Sequence, residues 1–130
     1  MLRIGFVGWR GMVGSVLMGR MREAEDFKGF EPVFFSTSNV GGNGPETGLD
    51  APLLKDAYDI GSLSSLDVII TCQGGGYTQK VHPELIKNGW KGYWIDSAST
   101  LRLNDDSIIV LDPVNRSVID DGLQAGIKTF

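Results

Sequence analysis

The chain has 130 residues, of which 42% are hydrophobic and 22% are charged, a balance typical of a folded globular protein. Its formal net charge of −4 argues against a nucleic-acid-binding module, because such surfaces are strongly basic. No apolar run approaches the roughly 20 residues that span a bilayer, and the first residues lack the layout of a signal peptide, so no membrane segment is expected.

The first half of the chain predicts two strands joined by a helix. Residues 2–7 are a short apolar run rich in β-forming residues, and we expect them to form a buried strand. From Met12 onward, apolar residues recur at the spacing of one helix face. Residues 32–36 predict a second strand, and residues 37–52, dense in Gly, Asn and Pro, predict an exposed loop.

The second half continues the alternation, which implies a parallel sheet with right-handed crossovers. We therefore expect a doubly wound α/β fold, with a mostly parallel sheet and helices on both faces. Within the helix predicted over residues 77–88, Pro83 disfavours helical backbone at the preceding residue, His82, so the first turn is the least favoured part of this helix. The predicted elements are a buried strand over 67–72, a helix over 77–88 stopped by Gly89, strands over 93–96 and 107–111, a helix from Pro113 to about Leu123, and the start of a strand at 127–130.

Cysteine and histidine occur once each, as Cys72 and His82. A single cysteine excludes an internal disulfide framework and suits a reducing cytoplasm, where we expect the protein to be located. A metal site built from cysteine and histidine ligands would need more of these residues. No metal is therefore expected.

A glycine motif, Gly8-x-x-Gly11-x-x-Gly14, separates the first predicted strand from the first helix. This is the setting of a dinucleotide-binding loop. Gly8 would permit the tight turn, Gly11 the close approach of phosphates and Gly14 the close packing of helix on strand, while free N–H groups at the helix start face the anion. The spacing departs from G-x-G-x-x-G, so a purely structural turn is the alternative. The phosphate-binding loop of nucleoside triphosphatases is not present.

Basic residues are concentrated near the glycine motif. Residues 1–22 contain Arg3, Arg10, Arg20 and Arg22 and no acidic residue. Such a positive segment in an acidic protein suggests a small anionic ligand near this end of the chain. Chance clustering in a short segment is the alternative.

The end of the second predicted strand indicates which dinucleotide would bind. An NAD-selective site usually has Asp or Glu there to accept from the ribose 2′-hydroxyl, but this chain has Ser36-Thr37-Ser38. Hydroxyl groups can donate to a 2′-phosphate, and Arg10 could supply the charge. NADP is therefore favoured over NAD, with an ordinary Ser/Thr turn as the alternative.

Five stretches spread over the whole chain carry a family resemblance: "GFVGWRGMVGSVLMGRM", "PVFFSTS", "TCQGGGYT", "GYWIDSAS" and "LDPVN". Together they resemble the N-terminal part of the bacterial type of aspartate-β-semialdehyde dehydrogenase. The resemblance implies that residues 1–130 form an NADP-binding Rossmann domain. In the family, a catalytic and dimerisation domain follows, and the enzyme is a homodimer or higher oligomer.

The family reduces L-aspartyl-4-phosphate with NADPH to L-aspartate-4-semialdehyde and phosphate, a step toward lysine, methionine, threonine and diaminopimelate. The resemblance also implies residue roles. The residues matched to the cofactor are Arg10, Gly11, Met12 and Val13 at the pyrophosphate, Thr37 and Ser38 at the 2′-phosphate, and Gln73. Arg102 matches the arginine that holds the substrate phosphate, a task suited to a guanidinium fork; a solvated surface arginine is the alternative.

The family's nucleophile is a cysteine thiolate, which forms an acyl-thioester, and a histidine acts as general acid and base. The resemblance places that cysteine beyond residue 130. Cys72 matches the cofactor loop and is expected to be inert, and His82 is expected to be a partly exposed residue near a helix start. The chain alone should therefore be inactive. Alternatives are a standalone NADPH-binding module, the NADP domain of a related acyl-phosphate reductase, and a flavodoxin- or receiver-like module.

Overall fold

The structure is a computed structural model of the chain. It describes residues 1–47, 53–98, 101, 104, 106–110 and 115–130. Within these ranges, five strands form one sheet and are joined by helices. The strands are β1 (Arg3–Val7), β2 (Glu31–Ser36), β3 (Lys55–Asp56), β4 (Val68–Thr71) and β5 (Tyr93–Asp96). The helices are α1 (Met12–Glu23), α2 (Ile60–Ser64), α3 (Gly75–Lys87) and α4 (Arg116–Gln124), with a 3₁₀ turn over Asp26–Gly29.

The sheet order is β3-β2-β1-β4-β5, and every neighbouring pair is parallel. β1 lies at the centre, with Phe6 opposite Phe34 of β2 and Ile70 of β4. Because β2 lies to one side of β1 and β4 to the other, the chain changes direction across the sheet beside β1. Such a switch point opens a crevice at the carboxyl ends of the strands.

Two apolar clusters cover the two faces of the sheet, because successive strand side chains point to opposite sides. On one face, Phe6 and Phe34 pack with Met18 of α1 and with Phe27 of the 3₁₀ turn. The opposite face packs against α2 and α3; its buried members include Val7, Val33, Phe35, Leu63, Ile69, Val81, Leu85 and Trp94. The predicted Rossmann-type α/β fold, doubly wound with helices on both faces, is confirmed.

The four longer strands were predicted to within one residue at each end, but three short elements were not. β3 has two residues, α2 has five and the 3₁₀ turn has four. None of them is long enough to show the periodicity from which a strand or helix is recognised. β3 is held by pairing with the end of β2, where Phe35 lies opposite Lys55.

Helix α3 begins two residues earlier than predicted and continues through Pro83. Gly74, at φ +112°, turns the chain into the helix, a conformation that glycine adopts readily. Pro83 cannot donate to the carbonyl of Gln79, and Gln79 is exposed, so that carbonyl group lies where water is accessible. His82-Pro83 therefore does not interrupt the helix, although a residue before proline disfavours helical backbone.

The last residues of the chain lie between β5 and residues 107–108. Trp94 N–H donates to the Lys128 carbonyl at 2.8 Å, and Ile108 N–H donates to the Thr129 carbonyl at 3.0 Å. Both contacts are parallel, but the pairing is limited to isolated bridges of Thr129 with Trp94 and with Ser107. The strands predicted over 107–111 and 127–130 are thus single bridges in the described residues, and residue 111 lies outside them. The start predicted for α4, Pro113, also lies outside the described residues.

Candidate functional site

A polar cavity of about 250 Å³ opens at the carboxyl ends of β1, β2 and β4. It lies at the switch point of the sheet, where ligands bind in open α/β folds. The cavity brings together the turn after β1, the turn after β2 and the start of the β4–α3 connection. Its lining residues are Gly8, Trp9, Arg10, Gly11, Phe35, Ser36, Thr37, Ser38, Cys72 and Gln73.

Two glycines of the motif are required by the packing of the backbone. Gly8 has φ +76°, and a Cβ there would overlap the backbone of Cys72 and Gln73. At Gly14, a Cβ would overlap the carbonyl oxygen of Gly8 and the backbone of Trp9. These glycines bring the loop against the start of the β4–α3 connection and α1 against the loop. Their presence is explained by the fold.

Gly11 has a different environment. It caps α1 at φ −70° and ψ −179°, a backbone conformation open to any residue. The nearest atom to a Cβ there would be the Gly8 carbonyl oxygen at 3.8 Å, an ordinary contact. The packing of the chain therefore does not require glycine at position 11. A side chain at this position would occupy the space before the first turn of α1, where unpaired N–H groups at a helix start attract an anion.

The turn after β2 is shaped by Ser36. Its buried hydroxyl oxygen accepts hydrogen bonds from the backbone N–H groups of Ser38, at 3.2 Å, and Asn39, at 2.8 Å. Thr37 is half-buried and Ser38 is exposed at the cavity. No acidic residue is among the described residues that line the cavity. The site therefore has hydroxyl groups at the strand end where an NAD-selective site has a carboxylate.

Trp9 joins the two sides of the cavity. Its indole N–H donates to the Phe35 carbonyl oxygen at 3.1 Å. The Arg10 guanidinium carbon lies 5.0 Å from the centroid of the Trp9 ring, within cation–π distance. Trp9 is not among the residues predicted from the sequence. The signal that could have identified it is a large aromatic residue between two glycines of a tight loop. Its hydrogen-bond partner, however, lies 26 positions away in the sequence.

The predicted cofactor residues do not all lie in the cavity wall. Met12 and Val13 occupy the first turn of α1, and their side chains are 87% and 55% exposed. Neither residue lines the cavity. Arg102 lies outside the described residues. The cavity lining includes Gly8, Arg10, Gly11, Thr37, Ser38 and Gln73.

The four N-terminal arginines do not form one basic site. Arg20 and Arg22 lie in the last turn of α1, about 15 Å along the helix from its start at 1.5 Å per residue. Arg3 lies at the amino end of β1, away from the cavity, with its side chain 3.3 Å from a Glu31 carboxylate oxygen. Of the four, only Arg10 lies at the cavity. Of the clustered charges, only Arg10 is therefore placed to contribute to an anion site at the cavity, because a strand and a helix carry the other three away from it.

Cys72 contributes a half-buried thiol to the cavity. Burial raises the pKa of this thiol and is the largest cause. A hydrogen bond with Ser97 lowers the pKa by less, and the negative charge of Asp96 raises it by a smaller amount still. A raised pKa disfavours the thiolate, which is the nucleophilic form. The local environment therefore opposes a nucleophilic role for Cys72.

His82 lies away from the cavity, in the interior of α3. It is 8% exposed, so the expectation of a partly exposed residue near a helix start is wrong. Burial lowers the pKa of His82, opposed by the negative charges of Asp106 and Asp96. Within the described ranges, no group of three or more His, Cys, Asp or Glu side chains is arranged to hold a metal ion. None of the described helices has the length and apolar character needed to cross a bilayer.

Comparison with known proteins identifies the family. A family model for the semialdehyde dehydrogenase NAD-binding domain matches residues 3–122. The solved structure of aspartate semialdehyde dehydrogenase from Francisella tularensis is 52% identical, with a TM-score of 0.92. The match covers 100% of this chain and 36% of that one.

Two solved structures of aspartate semialdehyde dehydrogenase II from Vibrio cholerae, one complexed with ASA, share the fold. They are 18% and 19% identical, with TM-scores of 0.74 and 0.72. The matches cover 100% and 99% of this chain, and 40% and 37% of those chains. The chain thus spans well under half the length of the relatives that it matches. The match to the family model and the high identity over the whole chain agree with the resemblance found in the sequence, and the chain belongs to the semialdehyde dehydrogenase NAD-binding domain family.

Proposed function

We propose that residues 1–130 are the NADP-binding domain of an aspartate semialdehyde dehydrogenase, the enzyme that reduces L-aspartyl-4-phosphate to L-aspartate-4-semialdehyde and releases phosphate. The observation that supports this proposal most directly is the presence of glycine at position 11, at the start of α1, where the packing of the chain does not require it. The 52% identity to the Francisella tularensis enzyme supports the choice of substrate.

The pyrophosphate of the cofactor would bind at the start of α1. The first N–H groups of a helix have no partner within it, and in α1 these belong to Met12, Val13 and Gly14. The absence of a side chain at Gly11 lets phosphate oxygens approach them closely. The positive end of the helix dipole adds to this attraction. Met12 and Val13 would therefore act through their backbones, which agrees with their exposed side chains.

The preference for NADP would come from groups on the two loops that flank the cavity. Arg10 offers a permanent positive charge, and Thr37 and Ser38 offer hydroxyl donors on the turn after β2. A 2′-phosphate pairs with a guanidinium through charge-assisted hydrogen bonds. The described lining has no carboxylate that would repel this phosphate or accept a hydrogen bond from a free 2′-hydroxyl.

The bound NADPH would supply the hydride, while the residues of this chain orient the cofactor. Gln73, at the start of the β4–α3 connection, would contact the cofactor beyond the pyrophosphate. Arg102 would hold the substrate phosphate. We propose that the covalent chemistry lies outside these residues, since the raised pKa of the Cys72 thiol opposes attack on an acyl phosphate.

Calorimetric titration of the protein with NADPH and with NADH tests the proposal. NADPH is expected to bind at least tenfold more tightly, and Arg10→Ala to remove most of that difference, because a hydrogen bond to a charged group contributes about 1.5–3 kcal/mol. Arg20→Ala, in the last turn of the same helix, is the matched control and should leave the ratio of affinities unchanged. Equal affinities for the two cofactors in the unaltered protein would overturn the assignment of NADP.

A further inference from the structure

Trp9 spans the distance between the two loops that would select the cofactor. The paired residues of β1 and β2 end at Phe6 and Phe34. Beyond that pair, one segment continues to Arg10 and the other to Thr37. The indole N–H of Trp9 reaches the Phe35 carbonyl oxygen at 3.1 Å, immediately before Ser36. A side chain thus continues the connection where the backbone pairing ends.

The bonded carbonyl lies next to the group that shapes the turn after β2. Ser36 follows Phe35, and its hydroxyl oxygen accepts from the N–H groups of Ser38 and Asn39. The edge of the Trp9 ring also contacts the Phe34 ring, with centroids 6.0 Å apart and planes inclined at 72°. These contacts fix the indole against β2 on two sides. The turn that carries Thr37 and Ser38 is therefore held relative to the glycine loop.

The face of the same indole supports Arg10. The guanidinium carbon lies 5.0 Å from the ring centroid, a distance at which an aromatic face attracts a cation. Arg10 is exposed, and a long exposed side chain samples many rotamers unless a contact restricts it. The contact with Trp9 therefore restricts the guanidinium to one face of an indole that is itself hydrogen-bonded to β2.

We propose that Trp9 is a positioning residue for recognition of the cofactor 2′-phosphate, an inference that rests on the proposed NADP function. Its indole sets the separation between Arg10 and the hydroxyl groups of Thr37 and Ser38. Trp9 itself does not bind the phosphate. NADH lacks the 2′-phosphate, so its affinity depends little on this separation, whereas the affinity for NADPH depends on it directly.

The test compares the ratio of NADPH to NADH affinity in three variants, each measured by calorimetry. Trp9→Phe keeps an aromatic face for Arg10 and removes the N–H donor, and the ratio is expected to fall about threefold to tenfold. Trp9→Leu removes the face as well, and a larger fall is expected. Trp90→Phe is the matched control: Trp90 also donates its indole N–H to a carbonyl, that of Leu66 at 2.9 Å, and it lies in the cluster on the other face of the sheet.

The outcomes are distinguishable from a failure of the proposed function. If the unaltered protein prefers NADPH and both Trp9 variants keep the full ratio, the positioning role is overturned while the NADP assignment stands. If the unaltered protein shows no preference, both are overturned. A purely structural Trp9 would weaken the two cofactors equally, which also contradicts the proposal.

A double-mutant cycle and a measurement on the unaltered protein complete the test. If Trp9 acts partly through Arg10, the combined effect of Trp9→Phe and Arg10→Ala on NADPH affinity should be smaller than the sum of the two single effects. Full additivity would contradict this part of the proposal.

In the unaltered protein, the NMR signal of the Trp9 indole N–H should shift more with NADPH than with NADH. Equal shifts would overturn the proposal even if a variant failed to fold.

Discussion

The imidazole of His82 packs edge-on against the indole of Trp94, with ring centroids 5.0 Å apart and planes inclined at 70°. On the same buried side, His82 Nε2 lies 3.4 Å from the Thr129 hydroxyl oxygen. The contact joins α3 to β5 and to the last residues of the chain. Among the described residues, the polar partner of this ionisable ring is the hydroxyl group of Thr129.

This contact predicts a loss of stability in mild acid. Burial lowers the pKa of His82 in the folded protein below its usual 6.5, despite the nearby Asp106 and Asp96. As the pH falls through 6.5, the unfolded chain takes up a proton that the folded chain resists, so stability falls. His82→Gln should therefore show a smaller decrease in Tm between pH 7.5 and 5.5 than the unaltered protein, measured by calorimetry. Parallel decreases in the two proteins would exclude His82 as the cause.

The motif glycines predict opposite results for the same substitution. Gly8→Ala introduces a Cβ at φ +76° against the Cys72 and Gln73 backbone, and it should lower the free energy of unfolding by more than about 2 kcal/mol. Gly11→Ala meets only an ordinary contact at 3.8 Å and should leave the stability to urea nearly unchanged. It should nevertheless weaken NADPH binding at least tenfold, as measured by calorimetry. A Gly11→Ala protein with full affinity would contradict the phosphate site.

A carboxylate on the turn after β2 should reverse the cofactor preference. Thr37→Asp places a negative charge at the cavity, where it would repel a 2′-phosphate and accept from a free 2′-hydroxyl. The affinity for NADPH should fall at least tenfold while that for NADH is kept or improved. Ser117→Asp on α4, outside the cavity, adds the same charge as a control. Equal losses for the two cofactors would show that the turn does not contact the 2′ position.

Cys72 should react slowly with alkylating reagents. Because burial raises the pKa of its thiol, its reaction with iodoacetamide at pH 7 should be slower than that of glutathione, and it should accelerate at a more alkaline pH. NADPH should slow it further, since Cys72 lines the cavity. Mass spectrometry after timed exposure measures both effects. Rapid modification that NADPH does not affect would contradict the placement of Cys72 in the cofactor site.

The large elements were predictable because each carries its own signal. The apolar runs that became β1, β2, β4 and β5 need no distant information to be recognised as buried strands. β3 is only two residues long, and it exists because β2 offers an edge for pairing. A pairing partner that lies far along the chain leaves no local pattern in such a short segment.

The candidate site was predictable to the extent that it depends on backbone geometry. The glycine spacing and its place between a strand and a helix predict the loop that lines one side of the cavity. The role of Trp9 was not predictable, because its hydrogen bond joins residues 26 positions apart. Arg3, Arg20 and Arg22 are close in sequence but far from the cavity. Their positions depend on the direction of β1 and the length of α1, which cannot be inferred from closeness in the sequence.

Thr129 separates Trp94 from Ser107, and it bridges to both. Among the described residues, Ser107 and Ile108 therefore join the sheet through residues that follow them by about twenty positions. This side of the sheet is thus arranged out of chain order, with residues 128–130 lying between β5 and residues 107–108. A chain that lacked residues 128–130 would leave the backbone of β5 open along one side, where strands of separate molecules can pair.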